Sequence, residues 1–226
     1  LMSKKLEEGK KVFFTSNSKS IVDDLSNSLS KYKLIKITSE NSITEDIQHF
    51  VKNIKKEILK YQLVLTSPSM STGVDITFEN NESYIDCVFG VFENRINIHP
   101  EIDQQISRVR HPKEIHLFIS ANTYNFETNF EVVESDYLNN RLENVVVPTR
   151  DLLKNIDYSK VVGDYLYMSV CLTVMKRASF NNLKQNFIDY KNTQSITVIR
   201  DDDNSLKKQG DSLLKDGRVI SIKRYD

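Results

Sequence analysis

Along the first half of the chain, apolar and polar positions alternate between two periods. Residues 11–15 (Lys-Val-Phe-Phe-Thr) read as a short buried strand that ends in the turn-like Ser16-Asn17-Ser18. From Ser18 onward Ile21, Val22, Leu25 and Leu29 recur at three- and four-residue spacing, which predicts an amphipathic helix. Residues 33–38 form the next strand candidate. A longer helix follows, with Thr44 as its N-cap and Glu45 and Asp46 suited to the positive helix start. Its apolar stripe is Ile47, Phe50, Val51, Ile54 and Ile58, while Lys52, Lys56 and Lys60 mark another face that reads as solvated. Strands then fit 61–66, 84–89 and 115–120, with a short helix over 102–109.

Strands alternating with helices at this spacing predict an α/β fold, a parallel sheet covered on both faces. Ligands of such sheets sit outside the carboxyl ends of the strands. That rule places the stretch "TSPSMSTGVDI", residues 66–76, on the ligand edge. It offers hydroxyl and backbone N–H donors to a phosphate, and one carboxylate to a sugar hydroxyl. From Asn122 to Pro148 the alternation breaks. Residues 151–160 and 164–190 then read as helical, with Leu166, Val170, Leu172, Val174, Met175, Leu183, Phe187 and Ile188 as core candidates. Residues 196–199 and 218–222 read as a strand pair around a charged insert. The expected division is an α/β lobe over 1–122 and a mainly helical appendage over 123–226.

Composition narrows the function classes. Of 226 residues, 39% are hydrophobic and 27% charged, as in ordinary globular domains. The formal net charge is +0, so any contact with nucleic acid has to be local. Cys87 and Cys171 lie far apart in apolar surroundings and read as reduced thiols rather than a disulfide framework. No apolar run approaches the roughly 20 residues that span a bilayer, and the first residues lack the apolar core of a signal peptide. The location expected from this is cytoplasmic, with no membrane partner. His49, His99, His111 and His116 show no metal-ligand spacing, and Asp201-Asp202-Asp203 reads as a solvated turn.

Three stretches carry chemistry in a fixed order: "KVFFTSNSKSIVDDL", "TSPSMSTGVDI" and "DQQISRVRHPKEIHLFI". In the third, Gln104 precedes Arg108 by four residues and Arg110 by six. On a helix Gln104 and Arg108 would share one face, with Arg110 near its end. Two guanidiniums held close repel unless an anion lies between them, and a polyphosphate matches their charge and fork geometry.

In this order the stretches resemble motifs IV, V and VI of the second RecA-like lobe of superfamily 2 helicases. The forms "SPSMSTGVDI" and "QQISRVRHP" look most like the herpesvirus origin-binding-protein type, which also occurs in primase-helicases of viruses, phages and plasmids. The resemblance covers roughly residues 10–120. It departs from the widespread motif VI by placing His111, not arginine, seven residues after the glutamine, and Ser107 at the usual glycine.

The resemblance implies an ATP-dependent DNA helicase lobe, with Gln104, Arg108 and Arg110 acting on the nucleotide. It implies that Asp75 and Gly73 border the nucleotide, Asp75 holding a ribose hydroxyl or ordering the lobe interface, and that Thr66, Ser67, Ser71 and Thr72 hold the backbone of single-stranded or forked DNA. The chain has no GxxxxGK(S/T) phosphate loop. The resemblance puts that loop, and the acids that hold Mg²⁺, in a first RecA-like lobe of the same full-length protein, with primase and other replication proteins as further partners. If the organism is a virus, the location becomes the host cytoplasm or a viral replication site. A different class of reading is a non-catalytic RecA-like module that docks replication proteins through the helical appendage. A Rossmann-like nucleotide binder is disfavoured by the missing GxGxxG turn. For each residue the bland alternatives are a polar turn at 66–76 and a salt-bridged helix at 104–110.

Overall fold

A computed structural model describes residues 1–70, 73–142 and 158–199. Five strands, β1 (Val12–Ser16), β2 (Leu34–Ile37), β3 (Leu63–Thr66), β4 (Cys87–Phe92) and β5 (Glu114–Ile119), form one sheet in the order β2-β3-β1-β4-β5. Every pairing is parallel. The sheet is flanked by helices α1 (Met2–Glu7), α2 (Lys19–Ser28), α3 (Glu45–Lys52), α4 (Ile54–Glu57) and α5 (His99–Ile106), a RecA-like α/β arrangement.

Why β1 sits at the centre follows from its sequence. All five of its residues are buried, because neighbours lie on both sides and helices on both faces. Val12 and Phe14 point to a core shared with Leu63, Leu65, Cys87 and Phe89 of the sheet, Leu6 of α1, and Ile21, Val22 and Leu25 of α2. Phe13, in register with Val64 and Val88, faces the opposite side, where the right-handed crossovers place α3, α4 and α5. Ile47, Phe50, Ile54, Ile102 and Ile106 supply the buried apolar side chains of those helices, and Ile58 adds one just after α4.

Several elements depart from the sequence expectations. β4 runs three residues further than 84–89, through Gly90. The long helix expected after Thr44 is broken at Asn53 into α3, α4 and a 3-10 turn over Ile58–Lys60. The Lys52-Lys56-Lys60 stripe therefore does not form one helical face. Thr44 does hold the N-cap position, but its hydroxyl donates to the Asn41 carbonyl at 2.8 Å rather than accepting from the helix. α5 starts earlier than expected, at His99, and ends at Ile106, so Arg108 and Arg110 lie beyond the helix that was to carry them.

Beyond the sheet lie α6 (Phe130–Leu142), α7 (Tyr158–Asn181) and α8 (Leu183–Thr193). The described residues group into two compact units, Leu1–Ser120 with the residues from Phe187 onward, and Ala121–Asn186. In the second unit Thr173 of α7 meets Tyr137 of α6. The segment before α6 is fastened to Asn181, whose side chain donates to the Phe126 carbonyl and accepts from the Phe126 N–H. Tyr124 and Phe126 stack on each other at 5.2 Å over that junction. The end of α8 belongs to the first unit, where Lys191 pairs with Asp103 of α5. Residues 196–199, expected as a strand, form no ladder; 218–222 and Asp201-Asp202-Asp203 lie outside the described residues. Among the described residues no helix is long and apolar enough to cross a membrane.

Candidate functional site

At the carboxyl edge of the sheet, short polar side chains close each strand end. Asn17, just after β1, grips the end of β4 by two bonds of 2.8 Å, its amide donating to the Glu93 carbonyl and its Oδ1 accepting from the Glu93 N–H. Thr66 ends β3 fully buried, and its hydroxyl donates to the Phe14 carbonyl at 3.2 Å. Ser67 is buried as well and shares a bond with Ser69 at 3.2 Å. The hydroxyls of Thr66 and Ser67 thus serve the strand end in this conformation, rather than facing a ligand. Ser71 and Thr72 lie outside the described residues. Gly73 follows, exposed and at φ +87°, a left-handed conformation in which a side chain would strain the turn.

The loop then returns to a partner that the sequence does not announce. Ile76 forms an isolated parallel bridge with Val109. Its N–H donates to the Arg108 carbonyl at 2.8 Å and its carbonyl accepts from the Arg110 N–H at 3.3 Å. α5 stops at Ile106, Ser107 and Arg108 form a turn, and Val109 then pairs with Ile76. The bridge locks the 66–76 loop and the arginine segment into one structure.

The two arginines then take opposite settings. Arg108 is only 7% exposed, and its Nη2 donates to the Met70 carbonyl at 3.0 Å. Its Nη1 is buried with no hydrogen-bond partner among the described residues. Burial pulls this guanidinium below its ordinary range, though arginine stays charged at any physiological pH. A buried cationic donor without an acceptor is costly, and an arriving anion would satisfy it. Arg110 is 54% exposed at its side chain, and its Nε donates to Asp75 Oδ1 at 2.9 Å. Asp75 also accepts from the Thr77 hydroxyl at 3.0 Å. The Arg110 bond, foremost, holds the Asp75 carboxyl below the usual carboxylate range.

Gln104 sits on the exposed side of α5. Its neighbour Gln105 is the buried one, accepting from the Thr15 hydroxyl of β1 at 3.3 Å. Sequence reasoning missed this inward glutamine. Pro100 in the first turn marks where the helix begins, and counting from it gives Ile102, Gln105 and Ile106 as the inward face.

The structure therefore joins Asp75 to Arg110 and Met70 to Arg108, with Gly73 between the two contacts in sequence. Two guanidiniums, open backbone at Gly73 and a single carboxylate already held by a cation make a donor set suited to phosphate oxygens rather than to a metal ion. No group of three His, Cys, Asp or Glu residues that could hold a metal occurs among the described residues.

No family model matches the chain, and no curated protein matches it. Among solved structures it is similar to the Hef helicase domain of Pyrococcus furiosus, with 14% identity and a TM-score of 0.36. The match covers 62% of this chain and 26% of that one, so the chain spans about a quarter of its length.

Proposed function

We propose that the chain is the second motor lobe of an ATP-dependent DNA helicase, of the kind found in replicative primase-helicases. The observation that carries this reading is the bridge between Ile76 and Val109. It joins the loop expected to hold a DNA strand to the segment expected to meet a nucleotide, as a motor that couples the two requires.

In this reading ATP, with its Mg²⁺ held by a first lobe, supplies the phosphoryl group. Arg110 needs only to exchange the Asp75 carboxylate for phosphate oxygens when the lobes close. Arg108 acts from behind, because its side chain anchors Met70 within the DNA loop. A shift of that loop would release the guanidinium toward the same anion. Stabilising charge that spreads onto the transferred group is the work such arginines do. Asp75, once released, is free to accept a hydrogen bond from a ribose hydroxyl, and Gln104 lies on the exposed face of α5. Contacts from the 66–76 loop would fall on the strand's backbone, so little sequence preference is expected.

Hydrogen exchange of the chain with and without a single-stranded oligothymidylate tests the reading. Protection should appear over 66–76 and at 108–110. Protection confined to the helical residues beyond 121 would favour the docking-module alternative.

A further inference from the structure

Lys52, Lys55 and Lys56 flank the break at Asn53 and, with the returning loop, line a groove of about 580 Å³. Val51, Ile54 and Val74 form apolar wall; Lys52, Asn53, Lys55 and Lys56 line one side, and Gly73 and Asp75 the other. We infer that this groove carries the phosphodiester backbone of single-stranded DNA onward from the 66–76 loop, with Lys52, Lys55 and Lys56 neutralising its phosphates. The inference rests on the helicase-lobe reading and extends its DNA path to residues which that reading does not use.

Charge balance supports it. Lys52, Lys55 and Lys56 are exposed, and among the described residues none has a carboxylate within ion-pair distance. Lys60, the next cation along, is already taken by Glu57 at 2.7 Å. Asp75 is the acid on the groove wall, and Arg110 compensates it from the other side. The groove is thus a local excess of positive charge on a chain whose formal net charge is +0. Such an excess draws in and holds a polyanion without help from the whole molecule.

Size and wall chemistry select the ligand. The volume falls among small-ligand pockets, ~300–1,000 Å³, which suits a nucleotide unit of a single strand and not a duplex. Lysine is a mobile point charge that follows a backbone without fixing a base. The short apolar wall can take a sugar or base edge without reading it.

The test is the salt dependence of oligothymidylate binding to the whole chain, by fluorescence anisotropy. Each neutralised phosphate of a single strand contributes about 0.7 to the slope of log K against log salt. Replacing Lys52, Lys55 and Lys56 by Gln should lower the slope by about 2, and Arg at the same positions should preserve it. These side chains are exposed, so thermal melts of the variants should match the parent. A control replacing the exposed Lys4, Lys31 and Lys33 by Gln makes the same change in net charge and should leave the slope unchanged. An unchanged slope in the groove variant, with normal binding, overturns the inference and leaves the lobe reading standing. An equal fall in the control overturns it too, since global charge would then explain the loss. A parent chain that binds no strand at all refutes both.

Discussion

Arg110 Nε lies 2.9 Å from Asp75 Oδ1, and this one contact spans 35 residues to join the loop after β3 to the segment after α5. Both side chains are about half exposed, so the pair is open to salt and to exchange. It ties the loop to that segment without sealing either side chain from solvent. Exposed pairs of this kind contribute about 0–1 kcal/mol. Arg110→Ala should therefore leave the thermal midpoint nearly unchanged while loosening 73–77, visible as faster amide exchange there. A large loss of stability would make Arg110 a structural residue.

At the opposite, amino-terminal edge of the sheet, Asp86 performs a purely structural task. Its carboxylate accepts from the Lys11 N–H at 2.9 Å and from Lys113 Nζ at 2.7 Å, tying the starts of β1, β4 and β5. Burial pushes this carboxyl up, but the bonds from Lys113 and Lys11 outweigh it and leave it below the ordinary range. A depressed carboxyl stabilises the fold above its unfolded pKa of about 3.9, and the contribution disappears as pH falls through the lower folded value. Asp86→Asn should cost about 1–3 kcal/mol at neutral pH. Its melts should begin to approach the parent's below about pH 4 and meet them only once pH has fallen past the lower folded pKa of Asp86. A gap independent of pH would mean that shape, not charge, matters there.

Gly90 lies inside β4, where a Cβ would fall 2.6 Å from Phe92 Cε2 and 2.7 Å from Leu117 Cδ2. Phe92 is fully buried and has little room to yield. Gly90→Ala should destabilise by about 1–3 kcal/mol, the range for overpacked cores. Denaturant titration checks this, and a neutral outcome would show that the Leu117 side gives way.

Much of this architecture is legible in the residues, and the failures have physical causes. Strands β1, β2, β3 and β5 announce themselves as short apolar runs bounded by turn residues. β4 is misplaced because "YIDCVFGVF" is apolar almost throughout, and a glycine that fits between Phe92 and Leu117 reads as a strand end. α6 escapes notice because it lacks a sustained apolar period, and α1 because its sole buried residue is Leu6. The site is legible as chemistry, not as geometry. Nothing local to 104–110 says that Val109 will pair with Ile76, that Arg108 will be buried against Met70, or that Gln105 will turn inward. Those are long-range pairings that override local helix preference.

In the proposed reading the chain supplies one half of a nucleotide site and should not turn over nucleotide alone. With no phosphate-loop sequence in the chain, Mg²⁺-dependent ATP hydrolysis by the pure chain should stay at background. Hydrolysis that survives replacement of both Arg108 and Arg110 would refute the assignment of this chain as a second lobe.

In the proposed motor the segment after α5 delivers cationic charge to a transferred phosphoryl group. Steady-state ATP hydrolysis by the complete two-lobed motor, carrying Arg110→Ala or Arg108→Ala, measures it most directly. A residue that acts where charge develops is missed mainly in kcat. Arginines supplied this way are worth 10³–10⁵ in rate, so Arg110→Ala should lower kcat by at least about 10³ with little change in KM. Arg110→Lys should not rescue it, because a point charge lacks the two-pronged geometry. Arg108→Ala should lower kcat and also weaken the stimulation of turnover by single-stranded DNA, through its hold on Met70. Parent-level turnover in both alanine variants, with unchanged melts, would contradict the account.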